Sequence, residues 1–230
     1  MLVLYEHPLS PYAQKVKIAL REKGIAFEVR MPEGIGAGHT KGEFADANPR
    51  REVPALIDGD TAIFDSTIIL DYIDDKWPEP LLMPNVPEDR ARMRQIEDVM
   101  DTHFEAITWG LGELHFFKRG NDTLRKTIEA HAARQIAGFM AWLENELGDN
   151  NWFSGRKFGR GDLSVIPYLN AADGFGYKPA EGSPIATWIV RANARESVSQ
   201  TDAESRASIT GMQMVSAAVE SGLFKRQYRD

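Results

Sequence analysis

The hydrophobic pattern divides the chain into a first part that mixes strands with helices and a second part that contains only helices. Two short apolar runs, residues 2–5 and 25–30, flank residues 11–23, whose apolar positions recur at helical spacing. A strand, a helix and a second strand in this order form a βαβ unit, whose strands pair in parallel. The opening of the chain therefore predicts a parallel pair of strands covered by a helix.

A hairpin and a further helix complete the first part. Asp58-Gly59-Asp60 is a turn signal between residues 50–57 and residues 61–64, which we interpret as the two strands of the hairpin. Residues 43–47 are predicted to form a short helical turn before the hairpin. Residues 68–77 form the next helix, and its cap lies in the segment Asp65-Ser66-Thr67.

Pro54 lies inside the first strand of this hairpin, where a proline cannot donate a hydrogen bond to a neighbouring strand. A cis Val53–Pro54 bond at the edge of the sheet accounts for it. Such a bond would also leave the backbone groups of Val53 free to pair with an extended ligand.

No strand pattern follows residue 88. Residues 89–109 and 128–147 have the spacing of an amphipathic helix. Further helices are predicted over residues 184–195, residues 203–223 and the strongly apolar residues 161–172, in which we expect Pro167 to cause a kink or local unpairing. We therefore predict an α/β domain over residues 1–80, a proline-containing linker over residues 81–88 and an all-helical domain over residues 89–230.

The composition of the chain argues against several classes of function. The net charge of −7 and the pI of about 5.3, without a basic cluster, argue against a nucleic-acid partner. No apolar run is long enough to span a membrane and no signal peptide is visible, so we expect a cytoplasmic protein without a membrane partner. The chain has 0 cysteines, which excludes a protein thiol as nucleophile. Its 5 histidines lack metal-ligand spacing, so we predict no metal site.

Two helix starts carry candidate chemistry. Ser10 precedes Pro11 at the start of the first helix, where unpaired N–H groups and the helix dipole favour an anion such as a thiolate. Asp65 and Ser66 start the third helix, where a carboxylate and a hydroxyl can hold the ammonium and the carboxylate of one zwitterion. The structural alternative at both places is an ordinary helix cap.

The order of these elements resembles that of the cytosolic glutathione transferase family, and the resemblance covers nearly the whole chain. The first helix is similar to the active-site segment of the serine-type classes, tau and zeta especially. The segments that carry the resemblance are Ser10-Pro11-Tyr12-x-x-Lys15-Val16-x-Ile18-Ala19-Leu20, Val53-Pro54-Ala55-Leu56, Asp65-Ser66, Phe153-Ser154-Gly155 with Asp162, and Trp188-x-x-Arg191-x-x-x-Arg195.

The resemblance implies a thioredoxin-like N-terminal domain, a helical C-terminal domain and glutathione as co-substrate, without a metal. Ser10 would donate a hydrogen bond to the glutathione sulfur, and Val53 beside Pro54 would pair with the cysteinyl unit. The other implied contacts are Asp65 and Ser66 with the γ-glutamyl end and Lys41 with the glycyl carboxylate. Lys41 lies in a glycine-rich loop, residues 31–42, that also carries His39.

Three departures from the family pattern bear on these roles. Glu52 stands where relatives often have a basic or amide side chain and would repel a carboxylate, so Arg51 is the predicted substitute. Gly159 occupies the N-cap of the buried helix, with Asp162 three residues later, where the family usually has serine or threonine. Tyr5 stands near the position used by tyrosine-type classes and is the alternative group that activates the thiol.

The predicted activity is attack of the glutathione thiolate on a small, hydrophobic electrophile. The resemblance implies a homodimer and an electrophile pocket lined by the helical domain, with candidates His103, Phe104, Trp109, His115 and Phe116. A binding or carrier protein that keeps the fold without turnover is the alternative, because a fold does not determine a function.

Overall fold

The structure, a computed structural model, describes residues 1–35, 40–116 and 119–220, with residues 210–220 described by their backbone alone. Four strands form one sheet in the order β2-β1-β3-β4. They are β1 (Leu2–Tyr5), β2 (Phe27–Arg30), β3 (Ala55–Asp58) and β4 (Thr61–Phe64). Strand β1 pairs with β2 in parallel and with β3 antiparallel, and β3 pairs antiparallel with β4. The predicted βαβ unit and hairpin are confirmed.

Helices occupy the rest of the described chain. Three belong to the sheet region: α1 (Pro11–Glu22), α2 (Glu43–Ala47) and α3 (Ser66–Lys76). The later ones are α4 (Pro87–Val99), a π-helical turn (Met100–Phe104), α5 (Glu105–His115), α6 (Asp122–Leu147), α7 (Arg160–Gly174), α8 (Pro184–Asn193) and α9 (Glu196–Glu220). Helix α7 continues through Pro167. No described residue after Phe64 belongs to a named strand.

Two strands begin later than their apolar runs predict. The run at residue 25 becomes a strand only at Phe27, because the N–H of Ile25 bonds to the Leu20 carbonyl and thereby closes helix α1. The run at residue 50 becomes a strand only at Ala55. Asn48 holds the intervening backbone through bonds to Arg51 N (3.0 Å) and Glu52 O (2.5 Å), so these residues form a turn.

Three helical stretches also differ in extent from their prediction, and the helix predicted over residues 128–147 begins at Asp122. The helix predicted over residues 89–109 runs on to His115, interrupted by the π-helical turn. The helix predicted from residue 203 begins at Glu196, because its first turns bury polar side chains, Ser197 and Thr201, that carry no apolar pattern.

The sheet has a packed cluster on each face, since side chains alternate along a strand. Leu2 and Leu4 of β1 point into the main core together with α1, α3 and the buried helix α7. Val3 and Tyr5 point to the other face, into a smaller cluster with Phe44 of α2. The sheet with α1 and α3 on one face and α2 on the other is a thioredoxin-like arrangement, and the later helices pack against its α1–α3 face.

Helix α7 begins deep inside the protein, so the N–H groups of its first turn need partners there. Gly159 is its N-cap, as predicted, and Asp162 accepts a hydrogen bond from Gly159 N at 3.1 Å. The same carboxylate accepts from Phe153 N (2.8 Å), Ser154 N (3.2 Å) and Trp188 Nε1 (3.0 Å). Asp162 therefore joins α7 to the preceding loop and to α8.

The structure explains the glycine at this cap. A Cβ atom on residue 159 would lie 2.5 Å from the carbonyl oxygen of Leu82 and 3.0 Å from Ser154 Oγ. The hydroxyl that a serine cap would supply comes instead from Ser154, whose Oγ accepts a hydrogen bond from Gly161 N at 3.1 Å. Helix α7 is thus capped by a side chain of the preceding loop.

We expect Gly159→Ser to destabilise the protein, although serine is the better N-cap residue in general. The new Cβ would push against backbone that cannot move freely, and such overpacking costs about 1–3 kcal/mol. At 230 residues this lowers Tm by roughly 3–10 °C in a thermal unfolding experiment. The control is Asn121→Ser at the exposed start of α6, where Asn121 Oδ1 accepts from Leu124 N and a serine can do the same. Equal or higher stability of Gly159→Ser would contradict this account of the cap.

Candidate functional site

Ser10 caps helix α1, as its position before Pro11 predicts. Its Oγ accepts a hydrogen bond from Ala13 N at 3.3 Å, and its own N–H donates to the His7 carbonyl at 2.8 Å. Because the hydroxyl uses an oxygen lone pair for the cap, its hydrogen remains able to donate to an anion. The residue is half-buried at the positive end of a helix, where a negative charge is stabilised.

The loop that delivers Ser10 is fixed by its own hydrogen bonds. His7 Nδ1 accepts from Leu9 N at 3.2 Å, and Gln14 Nε2 donates to the Pro8 carbonyl at 2.8 Å. Burial lowers the pKa of His7, which favours the neutral ring that this acceptor role requires. The approach to Ser10 is therefore ordered by groups on both sides of it.

Asp65 and Ser66 start helix α3. Asp65 accepts a hydrogen bond from Thr67 N at 3.0 Å, as a helix cap does, and Ser66 beside it is buried. Asp65 has a φ of 74°, a left-handed backbone conformation that is uncommon for any residue other than glycine. Strained backbone of this kind concentrates at functional positions, so the geometry points to a role for Asp65 beyond capping.

The Val53–Pro54 bond is cis, which confirms the prediction from sequence. Val53 immediately precedes the buried Pro54 and the start of β3. In the described part of the chain, neither the N–H nor the carbonyl of Val53 has a backbone partner. This segment can therefore offer both groups to an extended peptide-like ligand.

Arg50 is a site residue that the sequence did not identify. Its guanidinium lies 3.1 Å from Asp65 Oδ2 and 2.7 Å from Glu52 Oε2. The charge of Glu52, expected to repel a carboxylate, is therefore compensated by Arg50. Arg51, the predicted substitute, is exposed with a φ of 55°, and Lys41 is also exposed. His39, in the same loop as Lys41, lies outside the described residues.

Four charged residues form a buried ionic cluster behind these helix starts. Lys15 Nζ lies 2.8 Å from Glu97 Oε1 and 2.5 Å from Asp101 Oδ2. Arg160 Nε lies 2.8 Å from Glu97 Oε2, and Tyr168 donates to Asp101 Oδ1 at 2.6 Å. The side chains of Lys15, Glu97 and Arg160 are at most 2% exposed.

The cluster connects the first turns of α1 and α3 to the helical region. Tyr12 of α1 donates to the backbone carbonyl of Asp101 at 2.6 Å. Thr67 of α3 donates to Glu97 Oε1 at 3.1 Å, and its own carbonyl accepts from Arg160 Nη2 at 3.1 Å. Both helix starts are thus fixed against one set of charges. In the sequence, the cluster is indicated by Glu97 and Asp101, four residues apart and each next to a buried apolar residue, Ile96 and Met100.

The two carboxylates of the cluster respond differently to burial. Burial raises the pKa of Glu97, but Lys15 and Arg160 outweigh it and hold that pKa below its usual value. Burial and the neighbouring Glu97 raise the pKa of Asp101 in spite of Lys15. Glu97, which has two cations as partners, is the fixed negative charge of the cluster.

Tyr5, the alternative to Ser10, lies on the other face of the sheet from α1 and donates its hydroxyl hydrogen to Glu43 Oε2 at 2.5 Å. Burial, followed by the hydrogen bond to Glu43, raises the pKa of Tyr5. Its one hydroxyl hydrogen is therefore already used within the protein.

The electrophile-pocket candidates divide into two groups. Phe104 is fully buried against Phe139 and Tyr168, so it is a core residue. The others are exposed residues on or next to α5: His103, Trp109, His115 and Phe116. The rings of His115 and Phe116 lie 5.7 Å and 5.6 Å from that of Phe175, so the structure brings these two candidates together.

Comparisons with known proteins agree with this geometry. The family described as glutathione S-transferase, N-terminal domain, matches residues 4–81. Glutathione S-transferase U28 of Arabidopsis thaliana is 30% identical over 212 residues, 89% of each chain. The chain belongs to the glutathione S-transferase family. A stringent starvation protein A homolog of Coxiella burnetii is 32% identical, over 74% of this chain and 75% of that protein.

Solved structures of glutathione S-transferases share the fold. Rice GST1 in complex with glutathione superimposes with a TM-score of 0.72 at 27% identity, covering 87% of this chain and 91% of that one. Among the described residues, no helix is both long and apolar enough to cross a membrane. The relatives' names include proteins that are not called transferases, so family membership by itself leaves the activity to be argued from the site.

We expect Lys15→Met to lower the free energy of unfolding by about 3–5 kcal/mol, because it leaves Glu97 and Asp101 buried without their shared cation. Urea denaturation measures this loss. Without Lys15 the pKa values of both carboxylates rise in the folded state, so protonation relieves the defect. The loss should therefore shrink as the pH falls from about 8 to about 5.

The matched control is Lys126→Met, the same substitution at an exposed position of α6, which should change stability by less than about 0.5 kcal/mol. A Lys15→Met loss as small as that of the control would mean that the cluster does not stabilise the fold.

Proposed function

We propose that this protein is a glutathione transferase that stabilises the thiolate of glutathione for attack on an electrophilic, hydrophobic small molecule. The observation that carries the proposal is the Ser10 hydroxyl at the start of α1, half-buried and with its hydrogen free to donate. The same cluster of charges that fixes this helix start also fixes Asp65 and Ser66 at the start of α3.

The binding groups suit the three parts of glutathione. The free backbone groups of Val53 suit the cysteinyl unit, which is itself a short length of backbone. Asp65 supplies a carboxylate for the γ-glutamyl ammonium, and Ser66 supplies a hydroxyl and a helix start for its carboxylate. Lys41 supplies a cation for the glycyl carboxylate. Arg50 offsets the charge of Glu52, and Arg51 adds a further cation on this side of the site.

The chemical step needs no protein nucleophile, because the thiol belongs to glutathione. Ser10 donates to the sulfur, and the α1 dipole adds a second favourable interaction with its negative charge. A hydrogen bond to a charged group contributes about 1.5–3 kcal/mol, and one pKa unit corresponds to about 1.4 kcal/mol. Lowering the pKa of the bound thiol by one to two units is within reach of Ser10. Holding the electrophile beside the sulfur adds a proximity contribution.

The second candidate function is that of a binding or carrier protein. It is supported by the relative named stringent starvation protein A homolog, whose name is not that of a transferase. The free hydrogen of Ser10 favours the enzyme, because a carrier that binds glutathione as the thiol does not need it. A homodimer, a cytoplasmic location and the absence of a metal belong to the same proposal.

Ser10→Ala should raise the apparent pKa of bound glutathione by about one to two units while changing its affinity much less, because the contact forms fully only with the charged sulfur. The measurement is a pH titration of thiolate absorbance in the two complexes, followed by turnover at neutral pH. Ser10→Thr, which keeps a hydroxyl, should restore the low pKa.

Two comparisons separate this effect from others. Ser10→Ala also removes a helix cap worth about 1 kcal/mol, which thermal unfolding measures independently. Tyr5→Phe should leave the thiol pKa unchanged. A shift in Tyr5→Phe without one in Ser10→Ala would move the catalytic role to Tyr5. A wild-type protein that binds glutathione only as the thiol would be a carrier.

Asp65→Asn should weaken glutathione binding at least about tenfold with the fold intact. The amide can still accept from Thr67 N, and asparagine tolerates the positive φ, so the helix cap is kept while the charge and its ion pair with Arg50 are lost. An ammonium left without its partner costs on the order of 1–3 kcal/mol, and 1.4 kcal/mol is about tenfold in affinity. Calorimetry measures the change, with Asp60→Asn in the nearby exposed turn as the control. Unchanged affinity would leave Asp65 as a helix cap only.

A further inference from the structure

Tyr5 is the candidate site residue that the proposed mechanism does not use, and its surroundings assign it another role. Its ring lies 5.4 Å from that of Phe44, and its hydroxyl donates to Glu43 Oε2. Phe44 and Glu43 are the first residues of helix α2, together with which Tyr5 forms the smaller cluster on this face of the sheet. One tyrosine of β1 therefore contacts α2 in two ways at its N-terminal end.

The contact with Glu43 is part of a short chain of charges on that side. Arg30 of β2, directly paired with Tyr5 in the sheet, lies 3.2 Å from Glu43 Oε2 and 2.7 Å from Glu28 Oε1. The side chains of Arg30 and Glu43 are 41% and 54% exposed, so their ion pair contributes little by itself. The hydrogen bond from Tyr5, which is only 8% exposed, is the better-protected attachment.

Helix α2 has a second attachment at its other end. Asn48 is buried, and its side chain bonds to Glu52 O (2.5 Å) and Arg50 N (2.9 Å), in the segment that leads to Val53. The C-terminal end of α2 is thus fixed to the ligand-facing backbone by Asn48. The placement of its N-terminal end depends on the Tyr5 contacts.

Lys41 lies just before that N-terminal end. Only Gly42, with a φ of 75°, separates it from Glu43. The side chain of Lys41 is exposed. The backbone on which it stands is held on one side by the buried Thr40 and on the other side, beyond Gly42, by Glu43.

We propose that Tyr5 is a positioning residue, which through its hydrogen bond to Glu43 places Lys41 for the glycyl carboxylate of glutathione. The inference rests on the proposed function, since it assumes that the protein binds glutathione. The two hydroxyl residues then have different roles. Ser10 acts on the sulfur, and Tyr5 acts on the glycyl end of the same ligand. The raised pKa of Tyr5, caused first by burial and then by Glu43, keeps the phenol protonated as this role requires.

The test compares glutathione with its C-terminal amide, in which a carboxamide replaces the glycyl carboxylate, by calorimetry. Tyr5→Phe should weaken glutathione binding at least about threefold and leave binding of the amide unchanged, because only glutathione has the glycyl carboxylate that Lys41 would meet. Lys41→Met should show the same discrimination. In a Lys41→Met background, adding Tyr5→Phe should cause no further loss.

Further variants examine the link from its other end. Glu43→Ala should reproduce the loss for glutathione, and Glu43→Gln, which still accepts from the Tyr5 hydroxyl, should restore most of the affinity. Glu43 is largely exposed, so these variants fold even if Tyr5→Phe does not. Glu28→Ala is the matched control, because it removes the other partner of Arg30 without touching Tyr5.

Three results would overturn the inference. In the first two, Tyr5→Phe weakens both ligands equally, which indicates a general structural role, or weakens neither. It could also raise the pKa of the bound thiol, which would return Tyr5 to the sulfur. In each case Ser10→Ala and Asp65→Asn still decide the proposed function on their own. A wild-type protein that binds neither ligand would overturn the proposed function and this inference together.

Discussion

The packing of the sheet region against the later helices depends on four charged side chains that are buried where the two regions meet. Lys15 belongs to a helix of the sheet region, whereas Glu97, Asp101 and Arg160 belong to the later helices. Removing such charges from water costs several kcal/mol each, and only close mutual pairing offsets that cost. Apolar side chains could fill the same space in many arrangements. The four charged side chains can all be paired in far fewer arrangements, so the cluster favours one packing of the sheet region against the helices.

Hydroxyl groups connect this cluster to the candidate site. Tyr12 and Thr67 lie in the first turns of α1 and α3, and each donates to a carboxylate or carbonyl of the π-helical turn or of α4. A π-helical turn inside a longer helix occurs frequently at functional positions. Here it carries Asp101, whose side chain and backbone carbonyl both accept hydrogen bonds. The distance between the Ser10 and Asp65 ends is therefore set by residues that would not themselves touch a ligand.

The parts of the site that sequence could predict are those with a local cause. In three places, neighbouring residues are enough to predict the local geometry. They are Ser10 before Pro11, Pro54 inside an apolar run, and Gly159 three residues before Asp162. Neighbouring residues do not predict the roles of Arg50 and Lys15, because Arg50 pairs with Asp65 and Lys15 with Glu97, which lie 15 and 82 residues away along the chain. The late starts of β2 and β3 have a local cause that an apolar pattern does not show. A helix end and the side chain of Asn48 form hydrogen bonds with backbone that the pattern assigns to strands.

The two hydroxyls near the end of β1 show why position in the sequence does not assign chemistry. A group that stabilises an anion must have a hydrogen to give and must face the anion's site. Ser10 meets the first condition because a cap consumes only its oxygen, and it stands at the positive end of α1. Tyr5 has given its hydrogen to Glu43 and stands across the sheet from α1. Releasing it would leave a buried phenol beside a carboxylate without a hydrogen bond between them, at a cost of about 1–3 kcal/mol. In the role that we propose for Tyr5, the hydrogen bond that uses its hydroxyl hydrogen also holds the start of helix α2.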